Sequence, residues 1–115
     1  MKILGIIPAR KGSKGIRNKN IKKFDGKPLI YWTIKPAINS NLDKVIVSSD
    51  SENIMELSRK YGAEVPFKRP LKLSQDKSKT IDVIKHAVNF YKKKNLYFDA
   101  VMLLQPDMPF KNKIR

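Results

Sequence analysis

The residues of this chain best suited to chemistry lie near its start, in the segment PARKGSKGIRNKN that runs from Pro8 to Asn20. Gly12 and Gly15 let a backbone come close to a ligand and turn its N–H groups toward an anion. Around them Arg10, Lys14 and Lys19 can neutralise phosphate charge from several sides. The arginine adds a planar bidentate fork, whereas each lysine acts more as a point charge. The segment is not a P-loop, because neither glycine is followed by Lys-Ser or Lys-Thr at the required spacing, and G-S-K-G does not fit the dinucleotide fingerprint G-x-G-x-x-G. It reads as a phosphate-binding loop of another kind, and the competing reading is a flexible basic surface loop.

Elsewhere reactive groups are sparse. There is no cysteine, which removes thiolate nucleophiles, thiolate metal sites and disulfides together. The single histidine, His86, falls in the middle of an expected helix and reads as structural or solvated. With no HExxH and no Ser-His-Asp set, hydrolase and zinc-enzyme chemistry have little support. Asp50 and Asp107 are the carboxylates near expected strand ends that could meet Mg²⁺, the plainer roles being a helix cap for Asp50 and a turn for Asp107. No residue is assigned as a metal ligand.

The elements that must position the loop follow from the alternation of short apolar runs with helical patterns, which implies βαβ units around a mainly parallel sheet. Ile3, Leu4, Ile6 and Ile7 form a continuous apolar run suited to a buried central strand ending at Pro8. The basic loop therefore leaves the carboxyl end of a strand, where open α/β sheets bind their ligands. A first helix is expected from Pro28 to Ser40, kinked or shortened at Pro36. Val45 to Val47 make a second strand, followed by a helix capped by Ser49, Asp50 or Ser51, carrying Ile54, Leu57 and Tyr61 on one face and stopping at Gly62. Ala63 to Phe67 is expected as a short strand ended by prolines, and Lys68 to Lys79 as a polar loop. Ile81, Ile84, Val88 and Tyr91 recur at helical spacing, and Ala100 to Leu104 is a further strand. With few residues after Leu104, the sheet is expected to lack its usual cover, as in a truncated chain.

The 115 residues fit one domain, and 41% apolar with 30% charged residues is ordinary for a globular protein. Twenty-five basic against ten acidic residues give a net charge of +15, which implies attraction to a polyanion. Twenty of the basic residues are lysines, so compositional bias accounts for part of the excess. It does not account for nine basic residues and one acidic residue between Lys2 and Lys27. No apolar stretch approaches the ~20 residues that span a bilayer, and Arg10 and Lys11 stand where a secretory cleavage site would be. A soluble cytoplasmic protein without membrane partners is expected.

IIPARKGSKGIRNKNIKKFDGKPLIYWTI, VIVSSDSENI, YGAEVPFKRP and LLQP, in that order and spacing, resemble the N-terminal half of the acylneuraminate cytidylyltransferases, the CMP-sialic acid synthetases and their bacterial relatives. The resemblance covers nearly the whole chain. It implies a Rossmann-like three-layer α/β/α nucleotidyltransferase fold, residues 1–115 being the N-terminal, nucleotide-binding part of the domain. It also implies transfer of CMP from CTP to a nonulosonic, 2-keto sugar acid with release of pyrophosphate, Mg²⁺ as cofactor, and a homodimer in the complete family form. Matched position by position, Arg10, Gly12, Ser13, Lys14, Lys19 and Asn20 correspond to residues that hold the CTP phosphates and ribose. Among them Arg10, Lys14 and Lys19 would stabilise charge building on the phosphoryl oxygens. Arg69 and Thr80 match positions that contact cytosine, and Gln105 matches the glutamine that meets the acceptor sugar.

Two departures matter. The family's QPTSPLR is QPDMPFK here, which changes the stretch lining the acceptor side at Asp107, Met108, Phe110 and Lys111. The second half that supplies the metal-binding aspartates in the family is not matched, so the resemblance leaves turnover by this chain alone open. The rival readings are a nucleotide-binding remnant without catalysis and, from the charge, a basic nucleic-acid binder. The latter is ranked last because the aromatics sit where core packing explains them and do not interleave with basic residues.

Overall fold

The computed structural model describes residues 1–11, 19–75 and 77–106. Its centre is strand β1 (Ile3–Pro8), which pairs in parallel with β4 (Lys44–Ser48) on one side and with β5 (Ala100–Leu103) on the other. The order β4-β1-β5 explains why the first apolar run is continuous: a central strand covered on both faces has no solvent side. Gly5 pairs with Val45, Ile6 with Ile46 and Ile7 with Val47, so residues of the two strands share faces in register.

One face carries Ile7, Val45 and Val47 against helices α1 (Tyr31–Ile38) and α2 (Glu52–Lys60), through Ile34 and Ile54. The opposite face carries Leu4, Ile6 and Ile46 against Ala87 and Tyr91 of helix α3 (Thr80–Lys92). Leu4, Ile6, Ile7 and Ile46 are fully buried, and burying each such side chain contributes about 1.5–3 kcal/mol. The result is the three-layer α/β/α arrangement that the family resemblance implies, with a parallel main sheet. β5 lies at one edge, where Val101 and Met102 stay exposed, and it ends at Leu103, one residue short of expectation.

Three local outcomes differ from the sequence reading. The first helix begins at Tyr31 and not at Pro28. Lys27–Pro28 instead form strand β3, antiparallel to β2 (Lys23–Phe24). Asp25 and Gly26, at φ 51° and 84°, make the turn, and Asp-Gly with both residues left-handed is what a two-residue hairpin requires. Trp32 Nε1 then donates to Phe24 O at 2.8 Å and ties the hairpin to α1. Pro36 does not stop α1 at once, for the helix ends two residues later at Ile38.

The expected strand from Ala63 to Phe67 reduces to one bridge, Ile46 with Glu64. Pro66 follows without an N–H to extend the ladder. In α3 the buried positions are Val83, Ala87 and Tyr91, while Ile81 is 52% exposed. The helix is thus rotated toward its i, i+4, i+8 row, where the small Ala87 lets it lie close to the sheet.

Other local expectations hold. Among the three cap candidates Ser51 is the one used, its Oγ accepting from Ile54 N–H at 3.3 Å. Glu52 at the start of α2 and Arg59 and Lys60 at its end suit the helix dipole. Gly62, at φ 101°, turns the chain out of α2.

Candidate nucleotide cleft

Because all three main strands are parallel, their carboxyl ends Pro8, Ser48 and Leu103 lie on one edge of the sheet. A cleft of about 210 Å³ opens there. Pro8 and Arg10 reach it from the end of β1, and Asn20 from the short 3₁₀ turn Lys19–Ile21. Arg69, Gln75 and Ser78 come from the segment between α2 and α3, Thr80 and Val83 from the start of α3, and Gln105 and Pro106 from beyond β5. Five residues singled out in the sequence, Arg10, Asn20, Arg69, Thr80 and Gln105, therefore line one cavity although they lie up to 95 positions apart. Gly12, Ser13 and Lys14 lie outside the described residues, as do Asp107, Met108, Phe110 and Lys111, and Lys19 is described by its backbone alone.

Arg69 is the most firmly held of these groups. It is 4% exposed, with Nε donating to Ser48 Oγ at 3.0 Å, Nη2 to Ser48 O at 2.7 Å and Nη1 to Leu73 O at 3.2 Å. Its backbone N–H donates to Ser49 O at 2.7 Å. Burial pushes its pKa down to about 10, the charge of Asp50 opposes that shift and the charge of Arg10 adds to it. The guanidinium stays protonated at neutral pH and keeps donors beyond the three engaged ones, since it carries five N–H groups. This burial rules out a merely exposed loop charge.

Asn20 is also 4% exposed. Its Nδ2 donates to Arg10 O at 3.3 Å, joining the two ends of the glycine-rich loop. Its Oδ1 is buried and has no partner among the described residues. A buried acceptor without a donor costs about 1–3 kcal/mol, a cost that a ligand hydroxyl or amine would remove.

Thr80 is the first residue of α3, whose N-cap is Lys79, so Thr80 does not serve as the cap and its side chain is exposed at the cleft. Gln105 is exposed and also lines the cleft. His86 lies outside this cleft, with its ring edge-on to Phe67 at 4.5 Å.

The sequence reading missed Gln75 and Ser78. The loop that carries them is clipped internally, Gln75 N–H donating to Ser78 Oγ at 3.0 Å and Ser78 Oγ donating to Lys72 O at 3.1 Å. The signal available was only a polar loop. Asp50 does not cap α2: its Oδ1 accepts from Lys11 N–H at 2.6 Å. Among the described residues no group of three or more His, Cys, Asp or Glu side chains could hold a metal ion. Asp50, engaged with Lys11 and facing the charge of Arg69, does not make a Mg²⁺ site by itself.

A parallel α/β/α sheet with a basic cleft at its carboxyl edge is the arrangement in which open α/β sheets bind ligands. The chain belongs to the cytidylyltransferase family, whose model matches residues 4–112. It is 46% identical over 98% of its length to a pseudaminic acid cytidylyltransferase of Campylobacter jejuni, covering 49% of that protein. It is 43% identical over 96% of its length to an N-acylneuraminate cytidylyltransferase of Escherichia coli, covering 26% of it. With a CMP-N,N'-diacetyllegionaminic acid synthase of Legionella pneumophila it shares 40% identity over 96% of its length and 48% of the relative's. The chain thus spans about half, or less, of the curated relatives it matches. Among solved structures, a CMP:2-keto-3-deoxy-manno-octonic acid synthetase complexed with CTP superposes with a TM-score of 0.76 at 22% identity. It covers 96% of this chain and 42% of that one, a likeness of fold.

Proposed function

We propose that the chain forms the CTP-binding half of a cytidylyltransferase that transfers CMP to a nonulosonic acid. The observation that carries this reading is the meeting of Arg10, Asn20, Arg69, Thr80 and Gln105 in one cleft at the carboxyl edge of the sheet. In the reaction an anomeric hydroxyl oxygen of the sugar acid bonds to the α-phosphorus of CTP, the bond from that phosphorus to the β-phosphate oxygen breaks, and the hydroxyl proton is lost as pyrophosphate departs. Charge then builds on phosphoryl oxygens, so fixed cations and amide donors lower the barrier.

In this reading Arg10, Lys14 and Lys19 take the phosphates, with the backbone at Gly12 and Ser13. The unpaired Oδ1 of Asn20 accepts from a ribose hydroxyl. The remaining N–H groups of Arg69 and the hydroxyl of Thr80 read the O2, N3 and N4 groups of cytosine. Gln105, which lines the same cleft, contacts the sugar acid. The family resemblance implies Mg²⁺ as cofactor, and among the described residues no group of three or more His, Cys, Asp or Glu side chains would hold it. The complete enzyme acts in the cytoplasm as a homodimer in this proposal, and among the described residues no helix is long and apolar enough to cross a membrane.

Calorimetric titration of the chain with CTP, UTP, GTP and ATP at two salt concentrations tests the nucleotide reading. CTP-selective binding that survives moderate salt is expected, and Arg10→Ala should abolish it. Equal, salt-sensitive binding of every nucleotide would overturn it and leave an unspecific polyanion site. Pyrophosphate release on adding a nonulosonic acid separates a catalytic chain from one that only binds.

A further inference from the structure

Asp50 is left unused by the nucleotide reading, and the role of helix cap belongs to Ser51. The turn that follows β4 nevertheless holds both sides of the cleft. Ser48 O accepts from Ala9 N–H at 2.9 Å and Asp50 Oδ1 from Lys11 N–H at 2.6 Å, so the backbone on either side of Arg10 is fixed to this turn. Asn20 Nδ2 fixes the Arg10 carbonyl from a third direction. The same turn holds the Arg69 backbone through Ser49 O and its guanidinium through Ser48. A carboxylate beside a phosphate loop would by itself repel the ligand. Here it faces the positive charge of Arg69 and is spent on an N–H 39 residues away in the chain.

We propose that Asp50 is a positioning residue for the phosphate end of the cleft: by accepting the Lys11 N–H, its carboxylate fixes the backbone at Arg10 and Lys11. The inference rests on the nucleotide reading above and adds to it the residue that holds the backbone at Arg10. Asp50 acts through Arg10 and Lys11 and does not touch the nucleotide.

The test compares CTP with cytidine, which shares the base and ribose but lacks phosphates. Both are titrated into the 115-residue chain and its Asp50 variants, with circular dichroism confirming the fold. Asp50→Ala is expected to weaken CTP roughly tenfold, the loss of one hydrogen bond to a charged group, and to weaken cytidine far less. Asp50→Asn keeps an acceptor at Oδ1 and should recover most of the loss. Asp50→Glu keeps the charge but displaces the carboxylate by one methylene, and should weaken CTP as alanine does. This last variant keeps the test decisive even if the alanine variant does not fold. Equal weakening of CTP and cytidine, or wild-type CTP affinity in Asp50→Glu, would overturn the inference while the nucleotide reading stands. Failure of the wild-type chain to prefer CTP over cytidine would overturn both.

Discussion

Replacing Arg69 with alanine should cost stability as well as nucleotide affinity, and the structure sets the size of the first effect. The substitution removes donors to Ser48 Oγ, Ser48 O and Leu73 O. Ser48 O keeps the Ala9 N–H as a partner and the Ser48 hydroxyl can rotate, so Leu73 O suffers most. Each hydrogen bond to a charged group contributes about 1.5–3 kcal/mol. Against this, alanine relieves the burial penalty that lowers the guanidinium pKa to about 10. A net loss of about 2–3 kcal/mol follows when the one poorly replaced partner is weighted fully and the others in part. At about 4–6 °C per kcal/mol for a domain of this size, the thermal midpoint should fall by roughly 10 °C. Far-UV circular dichroism melting measures it, and Arg69→Lys, which keeps the charge but cannot span Ser48 and Leu73 together, should lose about half as much. A midpoint for Arg69→Ala within about 2 °C of wild type would refute a stabilising role for the Arg69 hydrogen bonds to Ser48 and Leu73.

Ser51→Ala removes the acceptor for Ile54 N–H and should cost about 1 kcal/mol, read as a midpoint roughly 5 °C lower in the same melting experiment. His86 gives a pH signature. Its pKa is pushed below the ordinary 6.5, first by burial and then by the positive charges of Arg69, Lys93 and Lys72. The folded state therefore resists protonation more than the unfolded chain, and its contribution to stability is present above pH 6.5 and lost as pH falls through the lowered folded value. Melting midpoints should drop on acidification from pH 7.5, and His86→Gln should flatten that slope. An unchanged slope in the variant would assign the acid sensitivity to other groups.

Much of the fold can be read in the residue pattern because its causes are local. A continuous apolar run marks a strand covered on both faces, and β1 is that strand. Ser51 and Gly62 bracket α2 because a hydroxyl acceptor and a left-handed glycine act within one turn of chain. The hairpin at Asp25-Gly26 carried an equally local signal, which loses to Pro28 only if proline is taken as a helix start. The buried side of α3 was less legible: Ile81 and Val83 are both apolar, and only the approach of Ala87 to the sheet selects between their faces.

By itself, then, the sequence determined the strand and helix succession, the basic glycine-rich segment at a strand end and, through its motifs, the family. Tertiary structure alone decided that Arg10, Asn20, Arg69, Thr80 and Gln105 share a wall-to-wall cavity, that Arg69 is buried on Ser48, and that Asp50 serves Lys11 and not a helix end. The physical reason is range. Periodicity and capping act over a few residues, whereas a hydrogen bond between Lys11 and Asp50 exists only once β1 and β4 pair in parallel register and bring their carboxyl ends side by side.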